Sequence, residues 1–337
     1  MMCQMVIGQT GITPPAEVAS GTGFALLVAL AGASRSDRDE PDALGAALAD
    51  VGDSEGESWL NLLGVPLDAG APFIAERLVE AVASMDAVEL RRHLLGRYAW
   101  SWCTLAGIDD IESAARGDAA AVARLLSQPR YYGGHARASL GVLLALDPAE
   151  TQERITAALV AGARSLLDPS AASELEAARE RAASALDTQP ALATVELVAS
   201  GYRYVPEPEA ERVVLIPHLE PTAPLVLAQH RSSRLIAYLA APDRSSEDRL
   251  VALGRALADP KRVEILALVG RGVGRAADLV DATGLTRSTV HHHLAQLRDA
   301  GLVALEGNAR AYTYVPRSAA AAEAAALVAD IVGTEEE

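Results

Sequence analysis

The feature of this sequence that most restricts its fold is a regular series of helix starts and stops after residue 245. Asp259 precedes Pro260 as an N-cap before a first-turn proline, and Thr286 is a second N-cap. Gly284 stands where a helix needs a left-handed residue at its C-terminal end. Together these signals predict consecutive helices with short connections, the last of them at residues 287–300.

The last two predicted helices, at 275–283 and 287–300, are joined by a tight turn that contains glycine. This arrangement is typical of a helix-turn-helix, in which the second helix reads DNA. Alternating apolar runs follow at 302–305 and 310–315, and the turn residues between them predict a β-hairpin. The sequence therefore predicts a winged helix-turn-helix domain at residues 246–317.

Three strings in this region carry a family resemblance: ALADPKRVEILALV, ADLVDATGLTRSTVHHHLAQLRDAGLVAL and the wing EGNARAYTYV. They resemble the arsenical-repressor (ArsR) family of bacterial winged-helix regulators over roughly residues 247–317, about a fifth of the chain. The resemblance implies DNA binding and a homodimer, with an interface formed by the helix at 247–258 and a helix after the wing. An alanine-rich amphipathic segment, Ala319 to Val332, occupies that second place.

An α-helix fits the major groove of DNA, where each base pair presents a distinct pattern of donors and acceptors. The start of the predicted recognition helix and the wing turn carry polar side chains for such contacts. The candidate DNA-binding residues are Thr286, Arg287, Ser288, Thr289, His291, His292, Asn308 and Arg310. Arg287 has the donors to bond a guanine edge or a phosphate, and hydroxyls at a helix N-terminus hold phosphates. The alternative is that both arginines are only solvated and that Thr286 only caps its helix.

Many members of the family sense metals, but the matching positions of this sequence lack suitable ligands. The thiolate pair of the third helix falls on Arg275 and Ala277, and the final helix offers only Glu323 and Asp330. The run His291-His292-His293 does not close on one zinc ion, because neighbouring helical residues point about 100° apart. We therefore expect no metal and no cofactor, and we expect the last histidine of the run to pack against a neighbouring helix.

The net charge of −16 argues against a protein that coats nucleic acid with its whole surface. The excess of acidic over basic residues lies outside the predicted DNA-binding region, because residues 246–317 sum to +2, residues 1–245 to −13 and the last twenty residues to −5. The sequence has only two cysteines and no apolar segment long enough to cross a bilayer. We therefore expect a cytoplasmic protein without a membrane partner.

The expected fold class is mostly α (α+β), with a helical domain at residues 1–242 that ends in a small antiparallel sheet at 202–240. Residues 1–20 are expected to be irregular. After the winged helix, residues 318–337 are predicted to form a dimerisation helix and an acidic tail. A large domain fused to a DNA reader is interpreted as a sensor or dimer-positioning unit.

The candidates for a small-molecule effector site in this domain are Trp100, Tyr131, Tyr132 and His135. The alternative for the Tyr-Tyr-Gly-Gly-His segment is an ordinary aromatic loop before a helix. The Gly21-Thr22-Gly23 fragment is not a dinucleotide fingerprint, because it lacks a third glycine and a preceding predicted strand. His218 and His230 stand beside predicted strand ends and are interpreted as satisfied loop histidines.

These patterns lead to the hypothesis of a sequence-specific, homodimeric DNA-binding repressor that is not an enzyme. It would bind double-stranded DNA at a pseudo-palindromic operator and respond to a signal through its N-terminal domain. Two alternatives stay open. One is an enzyme in residues 1–240 regulated by the winged helix, for which no nucleophile–base pairing is visible. The other is a winged-helix module that docks on protein, which an acidic surface around Arg287 and Arg310 would favour.

Overall fold

The computed structural model describes residues 13–36, 42–199, 201–240, 245–308 and 312–333. The elements up to residue 198 are β1 Ala16–Val18, α1 Thr22–Arg35, α2 Ala43–Val51, α3 Glu57–Asn61, α4 Val65–Ala69, α5 Ala75–Ser84, α6 Ala87–Leu94, α7 Trp100–Ala106, α8 Ile108–Ala115, α9 Ala119–Ser127, α10 Ala136–Leu140, α11 Pro148–Ser165, α12 Ala171–Thr188 and α13 Ala191–Val198. The elements that follow are β2 Tyr202–Tyr204, β3 Arg212–His218, β4 Leu225–His230, β5 Ser233–Leu239, α14 Ser246–Leu257, α15 Pro260–Gly270, α16 Ala276–Thr283, α17 Arg287–Asp299, β6 Val303–Gly307, β7 Tyr312–Pro316 and α18 Ala320–Val332. The mostly helical α+β class predicted from the sequence is confirmed.

Aspartate side chains start several of these helices by accepting bonds from otherwise unpaired backbone N–H groups. The Asp147 carboxylate accepts from the Glu150 amide at 2.8 Å, and Pro148 then occupies the first turn. Asp259 plays the same part before Pro260, accepting from the amides of Lys261 and Arg262. The Asp259-Pro260 pair therefore starts its helix as the sequence predicted, and Asp147-Pro148 starts α11 in the same way.

The sheet that precedes the winged helix, which we call the N-terminal sheet, differs from the predicted antiparallel one. Its strand order is β1-β3-β5-β4, with β1 and β5 parallel to β3 and only β4 antiparallel to β5. Residues 16–18 were expected to be irregular but form its edge strand. A parallel edge strand can come from a distant part of the chain, so β1 could not be predicted from a local hairpin signal.

The first of the predicted strands of 202–240 belongs to a different sheet. β2 pairs in parallel with β6 of the C-terminal hairpin, in the register Tyr202↔Leu305 to Tyr204↔Gly307. The C-terminal sheet thus has the order β2-β6-β7. This pairing joins segments about a hundred residues apart, as the separation of Tyr202 and Leu305 shows.

The central strands of the N-terminal sheet are buried on both faces. Because successive strand residues point to opposite faces, Val214 and Ile216 of β3 enter one hydrophobic core, while Val213 and Leu215 enter another. We call the first the helical core, since it is built with α1, α5 and α11. The second, the shared core, runs from the sheet through α12, α13 and β2 into the C-terminal helices.

A short glycine-containing loop connects β1 to α1. The strand at 16–18 supplies the preceding element that the Gly21-Thr22-Gly23 fragment was expected to lack. The loop is nevertheless filled by protein, because a Cβ added at Gly21 would lie 2.1 Å from the carbonyl oxygen of Phe73. The amide of Gly23 also donates to that oxygen at 2.8 Å. The glycines therefore permit a close backbone approach within the fold.

In the described part of the chain, no helix is both long enough and apolar enough to span a bilayer.

Candidate nucleic-acid interface

The C-terminal helices form a helix-turn-helix. α16 ends at Gly284, whose φ of +68° is the left-handed conformation that lets the backbone leave a helix. Leu285 and Thr286 complete the turn, and the Thr286 hydroxyl accepts from the Thr289 amide at 3.3 Å to start α17. The glycine stop and the threonine cap predicted from the sequence therefore end α16 and start α17.

Helix α17 is held by one apolar face and exposes the opposite one. Val290, Leu294 and Leu297 are fully buried in the shared core. The exposed side carries Arg287, Ser288, His292 and other residues that solvent reaches, and no acidic residue occurs in the first turn. Because a helix N-terminus also carries partial positive charge, this end of α17 suits a phosphate or an acceptor-rich base edge.

The start of α17 gathers the candidate residues predicted there. The Thr286 hydroxyl oxygen lies 3.0 Å from that of Ser288 and 2.7 Å from that of Thr289. Thr286, Arg287 and Ser288 are exposed, and Thr289 is half-buried. Arg287 makes no ion pair with any residue in the described ranges, so its guanidinium is available to a partner.

The three consecutive histidines of α17 have three different environments. His292 is exposed and its Nε2 lies 3.0 Å from Nε2 of Gln296, and His291 is half-buried. His293 points inward with 7% of its surface exposed, and burial lowers its pKa. Within the residues that the structure describes, no group of three or more His, Cys, Asp or Glu side chains is placed to hold a metal ion.

The hairpin predicted after the recognition helix is formed by β6 and β7, in antiparallel register from Val303↔Pro316 to Gly307↔Tyr312. Its strands pack against α15 and α17. The side-chain amide of Asn308 lies at the turn and donates to the carbonyl of Val205 at 3.5 Å. Arg310, the other wing residue predicted to contact DNA, lies outside the described residues.

These elements, three supporting helices around a recognition helix followed by a β-hairpin, define a winged helix-turn-helix domain. The family model described as "Bacterial regulatory protein, arsR family" matches residues 259–304, which run from the cap of α15 into the first wing strand.

Curated relatives match the same region. The chain is 46% identical over 68 residues to the HTH-type transcriptional regulator CmtR of Mycobacterium tuberculosis, and equally so to that of Mycobacterium bovis. This alignment covers 20% of the present chain and 58% of the mycobacterial proteins. The HTH-type transcriptional regulator YgaV of Escherichia coli is 35% identical over 72 residues, 21% of this chain and 73% of YgaV. Through its C-terminal domain, the chain belongs to the arsR family of bacterial regulatory proteins, and no solved structure matches it.

The aromatic residues proposed for an effector site do not form one cluster. Tyr131 and Tyr132 are buried in the helical core, and their hydroxyls donate to the carbonyl oxygens of Leu95 and Leu94. Trp100 lies elsewhere, with its ring centroid 5.1 Å from the guanidinium carbon of Arg234. The side chain of His135 is 60% exposed and lies 3.8 Å from Glu55. The two phenols are therefore core residues in this structure.

The two isolated histidines behave differently from each other. His230 is 2% exposed and its Nε2 lies 3.0 Å from Asp68, within a polar cluster that includes Arg231. His218 is fully buried; its Nδ1 accepts from the Glu220 amide, but its Nε2 has no partner in the described structure. Burial alone lowers the pKa of His218 to about 4. His230 is thus satisfied as expected, whereas His218 is only half satisfied.

Proposed function

We propose that the protein is a sequence-specific, double-stranded-DNA-binding transcriptional regulator that reads its operator with α17 in the major groove. The observation that carries the proposal is the N-terminal end of α17, which is firmly packed and carries exposed hydroxyls beside Arg287. Arg287 has no ion-pair partner among the described residues. The arsR-family domain and the regulators CmtR and YgaV support the same function. The unpaired guanidinium favours DNA over an acidic protein-docking surface at this point.

The first experiment measures binding of the purified full chain to its own upstream DNA by fluorescence anisotropy, with a scrambled duplex as the control. We expect tighter binding to the upstream duplex and an affinity that falls steeply as salt is raised, since phosphate contacts release counterions. Equal affinity for both duplexes, or no salt dependence, would contradict the proposal.

Replacement of Arg287 by alanine tests the recognition helix directly. A base contact made by Arg287 predicts a loss of about 1–3 kcal/mol in operator binding and relaxed preference at one base pair. A phosphate contact predicts instead a uniform loss across sequences and a salt slope reduced by about 1. The matched control is Arg164→Ala, because Arg164 is also an exposed arginine and lies on α11, outside the recognition helix. Unchanged affinity of R287A for both duplexes would exclude Arg287 as a contact.

A homodimer is the second part of the proposal. Helix α18 packs along α14 yet buries none of its own residues, so both helices retain an apolar surface. The exposed fractions on this surface are 51% for Val251, 45% for Leu257, 46% for Val328, 41% for Ile331 and 67% for Val332. A second copy of the chain would cover these side chains, and two recognition helices would then meet a pseudo-palindromic site.

The dimer is tested by light scattering on the full chain after size exclusion. We expect twice the 35.1 kDa chain mass for the unmodified protein and one chain mass for Ile331→Glu, because a carboxylate at the interface must be desolvated. Ile108→Glu is the control, since Ile108 is 44% exposed on α8, outside this surface. A dimer that survives I331E would place the interface elsewhere.

The N-terminal part is proposed to act as the sensor that makes operator binding conditional, with repression by promoter occlusion as its output. This role is supported by the shared core, which runs without a break from the N-terminal sheet into α17 and β6. A signal that moves the N-terminal sheet would therefore be transmitted to the recognition helix α17 through continuously packed side chains. In vitro transcription from the protein's own promoter distinguishes repression from activation. Repression requires fewer transcripts as protein is added.

A further inference from the structure

The winged helix is completed by a strand that comes from the N-terminal part of the chain. The amide of Leu305 in β6 donates to the carbonyl of Gly201 at 2.8 Å, and the amide of Val205 donates to Gly307 at 2.9 Å. Strand β2 therefore occupies the edge of β6 that its hairpin partner β7 leaves open. The backbone of the wing is hydrogen-bonded on that side to residues that precede the DNA-binding domain by about forty positions, as the ranges of β2 and α14 show.

A buried tyrosine reinforces this pairing at the base of the wing turn. The hydroxyl of Tyr202, which is fully buried, donates to the carbonyl oxygen of Gly307 at 2.8 Å. Gly307 is the last residue of β6, and Asn308 at the turn reaches back to the carbonyl of Val205. The end of β6, at Gly307 and Asn308, is thus held by hydrogen bonds to the β2 segment.

Ion pairs extend the connection across the domain. The guanidinium of Arg203 on β2 lies 3.0 Å from Glu306 on the wing and 3.2 Å from Glu196 on α13. Glu196 also lies 3.8 Å from Arg317, which follows the wing and pairs with Glu323 of α18 at 2.9 Å. One row of alternating charges therefore joins α13, β2, the wing and the C-terminal helix.

The other end of β2 is anchored in the N-terminal sheet. Glu207, just beyond the strand, forms a fully buried ion pair with Arg234 of β5 and accepts from the Tyr204 hydroxyl at 3.1 Å. Arg234 in turn lies over the ring of Trp100 on α7. A displacement of β5 or α7 is consequently transmitted to β2 through contacts that solvent does not screen.

We infer that the helix–strand unit α13–β2 positions the wing for DNA, so that the N-terminal sheet controls operator affinity through Tyr202 and Arg203. Both are proposed as positioning residues, because each acts on β6: Tyr202 through the Gly307 carbonyl and Arg203 through Glu306. The inference rests on the proposed function for its DNA consequence. Its structural part, the restraint of β6 by β2, is measurable without DNA.

The test uses the full chain with Tyr202→Phe and Arg203→Met. Tyr131→Phe and Arg212→Met are matched controls, because Tyr131 is a fully buried tyrosine of the helical core whose hydroxyl donates to the Leu95 carbonyl at 2.6 Å, and Arg212 of β3 pairs with Glu17 of the edge strand β1. Hydrogen exchange at the Leu305 amide reports the β2–β6 pairing, with the Val214 amide as an internal reference. Loss of one hydrogen bond predicts exchange roughly 2- to 10-fold faster at Leu305 in the two test variants only.

Hydroxyl-radical footprinting on the upstream duplex gives the second readout. We expect Y202F and R203M to lose protection in the sequence flanking the recognition-helix contacts while the central base-pair preference is retained. A merely structural role would instead weaken central and flanking protection together, and this result would overturn the inference. Unchanged Leu305 exchange in both variants would overturn it as well.

The two proposals fail in different ways. If the unmodified protein binds no duplex specifically, the proposed function fails, and the exchange arm alone then decides whether β2 restrains the wing. If the unmodified protein binds specifically and footprints of all variants are identical, the proposed function stands and the positioning role of Tyr202 and Arg203 is refuted.

Discussion

The buried ion pair between Glu207 and Arg234 makes a strong prediction about stability. Neither side chain is more than 1% exposed, and Nε of Arg234 donates to the Glu207 carboxylate at 2.9 Å while Nη2 bonds its other oxygen. In Glu207→Ala the guanidinium keeps only the Ala228 carbonyl, at 3.0 Å, and the face of Trp100. A buried charge left without its partner costs about 3–5 kcal/mol.

The measurement is urea unfolding of the full chain, followed by circular dichroism and by tryptophan fluorescence, to which Trp100 contributes. At a slope of about 3 kcal/mol per molar, the expected loss lowers the midpoint of E207A by about 1 M or more. The double variant Glu207→Leu with Arg234→Met should be more stable than either single variant, because it leaves no unpaired charge. A loss below about 1 kcal/mol in E207A, or additive losses in the double variant, would refute the reasoning.

Two further predictions concern single residues. Gly284→Ala should cost about 1–2 kcal/mol, because φ is +68° and no atom lies within 4 Å of the new Cβ, so only backbone strain contributes. Gly254→Ala, in the middle of α14 and equally free of neighbours, should instead stabilise by about 1 kcal/mol, and thermal melts that give both changes the same sign would contradict this. The pKa of His218 falls from 6.5 in the unfolded chain to about 4 in the fold, so its contribution is complete above pH 6.5 and is lost as the pH falls to about 4. This loss is about 3 kcal/mol. The variant His218→Asn retains an acceptor for the Glu220 amide, so its unfolding free energy should fall by correspondingly less between pH 7 and pH 4. Equal falls in the variant and the unmodified protein would exclude His218 as the titrating group.

The C-terminal domain could be predicted almost completely because its signals are local. The recognition helix was expected at 287–300 and lies at Arg287–Asp299, capped by Thr286 as predicted. The same local signals identified the face that carries Arg287 and Ser288. The residues that position the wing were missed, since Arg203 and Glu196 stand more than a hundred residues before Glu306 and no local pattern connects them.

The pairing of strands in the N-terminal sheet could not be predicted from local sequence patterns. Apolar runs at 212–216 and 235–239 predicted strands. An apolar run indicates that a strand is buried, but it does not indicate which neighbour the strand pairs with or in which direction. The parallel pairing of β3 with β1 and β5 is typical of a sheet that is covered on both faces, here by the helical core on one side and the shared core on the other. Tyr131 and Tyr132 were suggested as ligand residues. In the structure their rings are buried in the core, and their hydroxyls donate to the backbone carbonyls of Leu95 and Leu94.

Helix starts, stops, the turn and the apolar stripe of the winged helix were determined by the sequence itself, because capping bonds and i to i+4 spacing act within a few residues. The edge to which β2 attaches, the pairing of Glu207 with Arg234 and the continuity of the shared core were decided only by the tertiary structure. The physical reason is that an open strand edge or a buried charge accepts any partner of suitable geometry. Which partner arrives depends on how the whole chain packs.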